Sequence, residues 1–213
     1  MALRVNAPAL RLATALGLFA FPRPGGGGGG TTAPTPPPPP TASSGTPTIP
    51  VVNYDTDEYK RSTGSVAMNA LSAYNAGATG SGVTVAILDS GIKDDSPEFT
   101  GRISSASQDI AGSPSRGIKD TSGHGTEVSA IIGAARNDSG IMGVAFNSTL
   151  LALRTDSPGS CGASGCSHFD SDLARAMDVA VANGARVVNV SLGGSAPSST
   201  FINGVGRAAP AGV

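Results

Sequence analysis

The sequence predicts an α/β fold with a mostly parallel sheet and helices on both faces of that sheet. The first observation is a short apolar, β-branched run, Val83–Leu88, which stops abruptly at Asp89. The second is another strand-like run, Leu150–Arg154. Runs of this kind are typical of strands buried on both faces, as in parallel sheets. The third is that helical segments alternate with these strands, which favours right-handed crossover connections.

The helical segments follow from their apolar spacing. Ser65–Tyr74 has apolar residues at positions 67, 70, 71 and 74, which is a helical period. Thr126–Ala135 is predicted as a second helix, and Ser171–Asn183 as a third that ends at Gly184. Arg186–Ser191 follows as a further strand.

The first fifty residues differ in composition from the rest. They hold 11 of the 16 prolines, a run of six glycines and no acidic residue. Residues 1–24 have arginines ahead of a short apolar centre and predict an export signal, hence a secreted or bacterial cell-envelope protein. An unstructured N-terminus is the alternative. Residues 25–50 predict a disordered Gly/Pro-rich linker, because such runs do not pack, and residues 51–213 predict one soluble domain.

Charge and hydropathy narrow the function classes. Residues 51–213 hold 15 acidic and 11 basic residues, a formal net charge of −4. This balance, without a basic block, argues against nucleic acid as the main partner. No apolar run approaches the roughly 18 residues of a membrane-spanning helix, so no integral membrane segment is expected.

The two cysteines, Cys161 and Cys166, lie close together among turn-forming residues. In a chain with an export signal this spacing favours a small disulfide loop. Two cysteines are too few for structural zinc. Free thiols are the alternative.

Two residues are candidates for chemistry. Asp89 lies at the carboxyl end of a buried strand, where ligands and catalytic groups collect in parallel sheets. By itself it fits a metal ligand, a phosphoryl acceptor, a hydrolytic triad or a turn. His124 stands between two glycines at the start of a helix, and those glycines allow backbone or substrate to approach closely. The other histidine, His168, is expected to be structural.

Three motifs in order resemble the subtilisin-like serine proteases. They are Leu88–Ile92 (Leu-Asp-Ser-Gly-Ile), Gly123–Val128 (Gly-His-Gly-Thr-Glu-Val) and Val188–Gly194 (Val-Asn-Val-Ser-Leu-Gly-Gly). The resemblance runs from about Tyr54 to Val213. It implies that residues 51–213 are a partial subtilisin-like peptidase domain. It further implies an endopeptidase that acts on polypeptides through an Asp-His-Ser triad and requires no cofactor.

The resemblance also implies residue roles. Asp89 matches the triad carboxylate, and His124 matches the general base that takes the proton of the nucleophile. Ser191, Leu192 and Gly193 match the segment that pairs with an extended peptide by strand addition.

A structural calcium ion is a further implication. Asn137–Ala145 matches a loop that often binds calcium in this family, and Glu98 stands where a calcium-binding Asp is frequent. Glu98 and Asn137 are therefore candidate metal ligands. A plain surface turn is the alternative, because hard cations need several oxygen ligands. The chain also departs from the family pattern at Glu127, where a second His is common, and at Phe146, where Pro is usual.

The nucleophilic Ser and the oxyanion-stabilising Asn of the family have no counterpart in the sequence. After Gly194 the only hydroxyl-bearing residues lie between positions 195 and 200, without a Gly-Thr-Ser motif. Ala208–Val213 is predicted as the start of the next strand. The chain is therefore expected to be inactive as written. It is also expected to be poorly soluble or partly folded, because Arg186–Ser191 would lack its neighbouring strands and leave an apolar edge open to aggregation.

Two other functions were weighed. One is a non-catalytic, protease-like module that binds extended peptides. The other is a nucleotide-binding domain, but the glycines of Gly80–Gly82 precede the strand instead of following it, so the geometry that holds a phosphate is lacking. The leader and linker also resemble those of bacterial autotransporter proteases.

Overall fold

The computed structural model describes residues 52–112, 116–194 and 196–213. The predicted export signal and linker lie outside these residues. Two buried strands form the centre of the fold, β1 (Thr84–Asp89) and β3 (Thr149–Arg154). They pair in parallel from Thr84 opposite Thr149 to Asp89 opposite Arg154. Both predicted strands are confirmed, and because they run in the same direction their carboxyl ends meet at one edge.

The sheet has four parallel strands in the order β2-β3-β1-β4. Strand β4 (Val187–Asn189) is shorter than the predicted Arg186–Ser191, because only these three residues pair with β1. Strand β2 (Gln108–Asp109) was not predicted, since two residues carry no periodic pattern. Asn189 at the end of β4 brings the chain to the same edge of the sheet as Asp89.

Helices cover both faces of the sheet, as predicted. Helix α4 (His124–Gly133) lies on one face and helix α5 (Asp170–Ala182) on the other. Because successive strand residues point to opposite faces, the core around the sheet forms two clusters, and a third lies among the N-terminal helices and Met142 and Phe146. One contains Val85, Ile87, Leu150 and Ala152 with Phe99, Val128 and Ile132; the other contains Ala86, Leu88, Leu151 and Leu153 with Leu173, Ala176, Met177 and Ala180.

The N-terminal helices correct one prediction. The expected single helix over Ser65–Tyr74 is two, α2 (Thr63–Ala67) and α3 (Ala70–Asn75), after a short α1 (Asp57–Arg61). Asn69 interrupts them with a left-handed backbone, φ 52°. A continuous helix cannot pass through that conformation.

The last segment corrects another. Helix α6 (Ser199–Ala208) packs on α5 so closely that a Cβ at Gly204 would lie 3.1 Å from the Ala174 Cα. A 3-10 turn, Ala209–Ala211, follows where the sequence predicted the start of a strand. Ser198 starts α6 by accepting a hydrogen bond from the Phe201 N–H, so the polar residues there cap a helix. No helix in the described ranges is long and apolar enough to cross a membrane.

Candidate active site

Asp89 lies at the end of β1 and is almost fully buried, with 1% of its surface exposed. Its backbone carbonyl accepts a hydrogen bond from the Thr155 N–H at 2.8 Å, and its Oδ1 accepts one from the Ser90 N–H at 2.7 Å. The chain then turns at Gly91, where φ is +113° and an added Cβ would lie 2.4 Å from the Ile118 carbonyl oxygen. The sharp stop after the apolar run is thus a turn that only glycine fits.

The two glycines that flank His124 serve different purposes. Gly123 needs its left-handed φ of +93° to start α4, and nothing lies near its Cβ position. Gly125 has no space for a side chain, since a Cβ would lie 2.2 Å from the Gly91 carbonyl oxygen. Helix α4 therefore begins in direct contact with the turn after β1, which brings His124 to Asp89.

His124 and Asp89 form a hydrogen-bonded pair. The distance from His124 Nδ1 to Asp89 Oδ1 is 2.8 Å. The carboxylate side chain is 1% exposed and the imidazole 52%. The hydrogen bond and the charge of Asp89 raise the pKa of His124 above its ordinary value, and the smaller effect of burial does not cancel this rise. Nδ1 is engaged, so Nε2 is the ring nitrogen left to exchange a proton with a ligand.

A cleft of about 820 Å³ opens beside this pair. Ser191, Leu192 and Gly193, the predicted substrate segment, line it directly after β4. Leu173 and Phe201 add apolar surface from α5 and α6. The fold thus brings both sets of predicted residues, catalytic and substrate-binding, to one cavity.

The predicted disulfide between Cys161 and Cys166 is present. It closes a small hairpin in which Gly162 and Gly165 exchange backbone hydrogen bonds of 2.9 and 3.0 Å. The hairpin and the following His168 form another wall of the cleft, which the sequence analysis did not anticipate. His168 Nδ1 lies 3.0 Å from the Thr155 hydroxyl, and burial lowers its pKa.

Glu98 and Asn137, the predicted calcium ligands, lie together. The Asn137 side-chain N–H donates to Glu98 Oε2 at 3.3 Å, and Asn137 Oδ1 accepts from the Ser139 N–H. Glu58, the neighbouring carboxylate, accepts the backbone N–H groups of Asn137 and Asp138. Within the described ranges no three acidic, His or Cys residues form a potential metal site, and the calcium assignment stays a prediction.

No nucleophile stands beside the base in the described part of the chain, where the His124 ring hydrogen-bonds only with Asp89. Ser191 Oγ pairs with the Asn189 side chain. Ser198 caps helix α6. The arrangement can accept a proton and hold a ligand in the cleft, but it presents no activated hydroxyl.

Sequence reasoning missed Asp120 and Ser90, whose side chains connect the start of α4 to the end of β1. A signal was available for Asp120. It stands three residues before Gly123, which precedes His124 at the start of a helix, and Asp is a preferred residue for binding free N–H groups at a helix start. Ser90 carried no comparable signal.

Comparisons with known proteins find similar sequences and a similar fold. The family model described as the subtilase family matches residues 80–210. An alkaline protease of Alkalihalobacillus alcalophilus is 39% identical over 146 residues, which are 68% of this chain and 36% of that protein. Subtilisin Savinase of Lederbergia lenta is 38% identical over 146 residues, 68% of this chain and 50% of its own. The solved structure of Sphericase matches with a TM-score of 0.54 and 30% identity, covering 63% of this chain and 44% of that one. The chain thus spans a third to a half of these curated relatives.

Proposed function

Because this chain belongs to the subtilase family of serine proteases, we propose that its folded part is the acid–base half of a serine endopeptidase site. The observation that carries the proposal is the 2.8 Å hydrogen bond between His124 Nδ1 and Asp89 Oδ1 at the mouth of the cleft. Polypeptides are the proposed substrates, and hydrolysis of an internal peptide bond is the proposed reaction.

Asp89 acts as the orienting carboxylate. Its hydrogen bond fixes the tautomer of His124 with the proton on Nδ1, so that Nε2 is free to act as a base. When His124 takes a proton, the buried anion stabilises the imidazolium. The same interaction raises the pKa of His124, because Asp89 favours the protonated ring.

His124 acts as general base and then as general acid. It removes the proton of a serine hydroxyl during attack on the scissile carbonyl and returns that proton to the leaving amine. Its half-exposed ring on the wall of the cleft supports this role, because the ring can reach a bound ligand.

Ser191, Leu192 and Gly193 bind the substrate backbone. Ser191 and Gly193 are exposed on the wall of the cleft and follow β4 after one residue, Val190. Exposed backbone of this kind can pair with an extended peptide by strand addition. Leu173 and Phe201 offer an apolar surface for a substrate side chain.

The nucleophile and the oxyanion donor must come from sequence outside the 213 residues, which contain no Gly-Thr-Ser motif. In subtilisin, where these losses have been measured, removing the serine costs about 10⁶ in turnover and removing an oxyanion donor roughly 10²–10³. We therefore expect no measurable hydrolysis from the chain as printed.

The test begins with the gene. We expect about 150 further codons in frame to encode a strand that ends in Asn and then a Gly-Thr-Ser motif. The longer product should hydrolyse a fluorogenic peptide, the printed chain should not, and His124→Ala in the longer product should lower turnover by about 10⁶. A His124→Ala variant that retains full turnover would overturn the assigned base.

A peptide-binding module without catalysis is the second candidate, favoured by the cleft and the absence of a nucleophile. A stop codon after position 213, together with measurable affinity of a stable monomer for extended peptides, would support it. Hydrolysis by the longer product that disappears in the His124→Ala variant would exclude it.

The proposal requires no cofactor. Calcium binding at Glu98 and Asn137 remains an untested prediction, which a thermal melt with and without a chelator would decide. Export also remains a proposal, supported by the signal-like composition of residues 1–24 and by relatives from bacteria. Nothing in the comparisons bears on the autotransporter resemblance.

A further inference from the structure

The loop ahead of α4 is organised around the carboxylate of Asp120. Its Oδ1 accepts hydrogen bonds from the N–H groups of Ser122 and Gly123 at 2.9 and 3.0 Å. Its Oδ2 accepts the N–H and the hydroxyl of Thr126 at 2.9 and 2.6 Å. One side chain therefore binds backbone donors on both sides of His124.

The same carboxylate reaches the end of β1. The Ser90 hydroxyl donates to Asp120 Oδ1 at 3.0 Å and accepts the Gly125 N–H at 3.0 Å. Ser90 is 1% exposed and directly follows Asp89. Through Ser90, Asp120 connects the end of β1, which carries Asp89, to the first turn of α4, which carries His124.

Helix α4 needs such a group. The first N–H groups of a helix have no partner within it, and Gly123, at the N-cap, has no side chain to accept them. Burial alone would raise the pKa of Asp120, but hydrogen bonds from Thr126, Gly123 and Ser122 outweigh it and lower that pKa. The group is therefore an anion at the positive end of the helix dipole.

We propose that Asp120 is a positioning residue, which sets the distance and orientation of His124 relative to Asp89 through the start of α4 and through Ser90. This inference rests on the proposed function, since the position of His124 matters only if it exchanges protons. Asp120 touches no reacting atom in that function.

The charged groups that face His124 allow two effects of Asp120 on the pKa of His124 to be distinguished, one through the position of the ring and one through direct charge. They are Asp89 from β1, Glu127 from α4, Asp120 from the preceding loop and His168 from the segment after β3. Asp89 dominates the pKa of His124, and the direct charge effect of Asp120 ranks last among the raising causes. A large response of His124 to loss of Asp120 must therefore come through a change in its contact with Asp89.

The experiment is a pH titration of the two imidazoles by NMR in the full 213-residue chain and in the Asp120→Asn variant. We expect the pKa of His124 to fall toward its ordinary value, and the pKa of His168, which lies against Thr155, to move much less. Amide exchange at Thr126 should accelerate by up to about fivefold, the fold-change for complete loss of a helix cap, because Asn keeps only one of the two acceptor oxygens. Asp170→Asn removes an equal charge from the same cleft and should leave His124 unchanged.

Further variants make every outcome decisive. Ser90→Ala keeps the hydrogen bonds of Asp120 to Ser122, Gly123 and Thr126 but removes the acceptor of the Gly125 N–H and the connection to β1. It should also lower the pKa of His124, and it decides the matter if Asp120→Asn does not fold. If amide exchange at Thr126 accelerates in Asp120→Asn but the pKa of His124 does not change, Asp120 is only a helix cap and the inference is wrong. Asp89→Asn distinguishes a failure of the proposed function from a failure of the present inference. If it leaves the pKa of His124 unchanged, the proposed pair of His124 and Asp89 is wrong. If Asp89→Asn lowers that pKa and Asp120→Asn does not, only the present inference fails.

Discussion

Replacing Gly125 by Ala should destabilise the chain, although Ala is the better helix former. Gly125 is the second residue of α4, and at an open helix position Ala is favoured over Gly by up to about 1 kcal/mol. Here an added Cβ would lie 2.2 Å from the Gly91 carbonyl oxygen, 3.0 Å from the Gly91 nitrogen and 3.2 Å from the Asp89 Cβ. Two of these three contacts are with backbone atoms, which cannot move aside as a flexible side chain can.

The size of the effect follows from these distances. To restore an ordinary contact of about 3.4 Å, helix and turn must separate by roughly 1 Å, a strain of the kind that costs about 1–3 kcal/mol when a packed interior is overfilled. For a domain of this size the melting temperature falls about 2–4 °C for each kcal/mol, so we expect a decrease of roughly 2–12 °C. The same displacement would lengthen the 2.8 Å hydrogen bond between His124 and Asp89.

Calorimetric melts of Gly125→Ala beside a matched glycine check this prediction. Gly206 lies in α6, a helix of the same length, and nothing stands within 4 Å of its Cβ position. Gly206→Ala should therefore raise the melting temperature by the ordinary helix preference. If Gly125→Ala also raises it, the close approach of α4 to the turn after β1 is wrong, and so is the reason given for that glycine.

Three other outcomes are expected. In urea melts across pH, Asp89→Asn should reduce the free energy of unfolding most below pH 6.5, the ordinary pKa of His. Because the pKa of His124 is raised in the folded state, the difference in free energy between variant and wild type should shrink as the pH rises through that folded-state pKa. Changing Cys161 and Cys166 together to Ser should cost about 2 kcal/mol in the chain-entropy model for so short a loop, measured as a lower urea midpoint, and a reducing agent should lower the wild-type midpoint alike. Asp156→Asn should cost about 3–5 kcal/mol, because it leaves the buried Arg154 without its anion, whereas Arg116 keeps its pairing with Asp109; an unchanged melt would refute the pairing of Arg154 with Asp156.

The central strands and the location of the site could be predicted because their signals are local. Val85 to Leu88 are buried in the structure, and a continuous apolar run records burial on both faces. Gly91 and Gly125 also left a local mark, since glycine is required where a Cβ has no space. Asp89 and His124 followed from their places beside these glycines.

Other features depend on contacts between distant residues and left little local signal. Strand β2 exists because two residues pair with the end of β3. The break at Asn69 interrupts an apolar spacing that by itself is helical. The disulfide was predictable from the spacing of its cysteines, but its place on the wall of the cleft depends on how the segment after β3 folds back toward His168.

The hydrogen-bonded pair of Asp89 and His124 is formed by one strand end and one helix start. Asp89 is held by Ser90 and Thr155, and His124 by the contact between Gly125 and the turn after β1. None of these contacts involves a nucleophile or an oxyanion donor. The proposed general base would need its orienting carboxylate in place before the substrate arrives, and these contacts hold Asp89 beside His124. The raised pKa of His124 should therefore be measurable in the chain as printed, whether or not that chain hydrolyses a peptide.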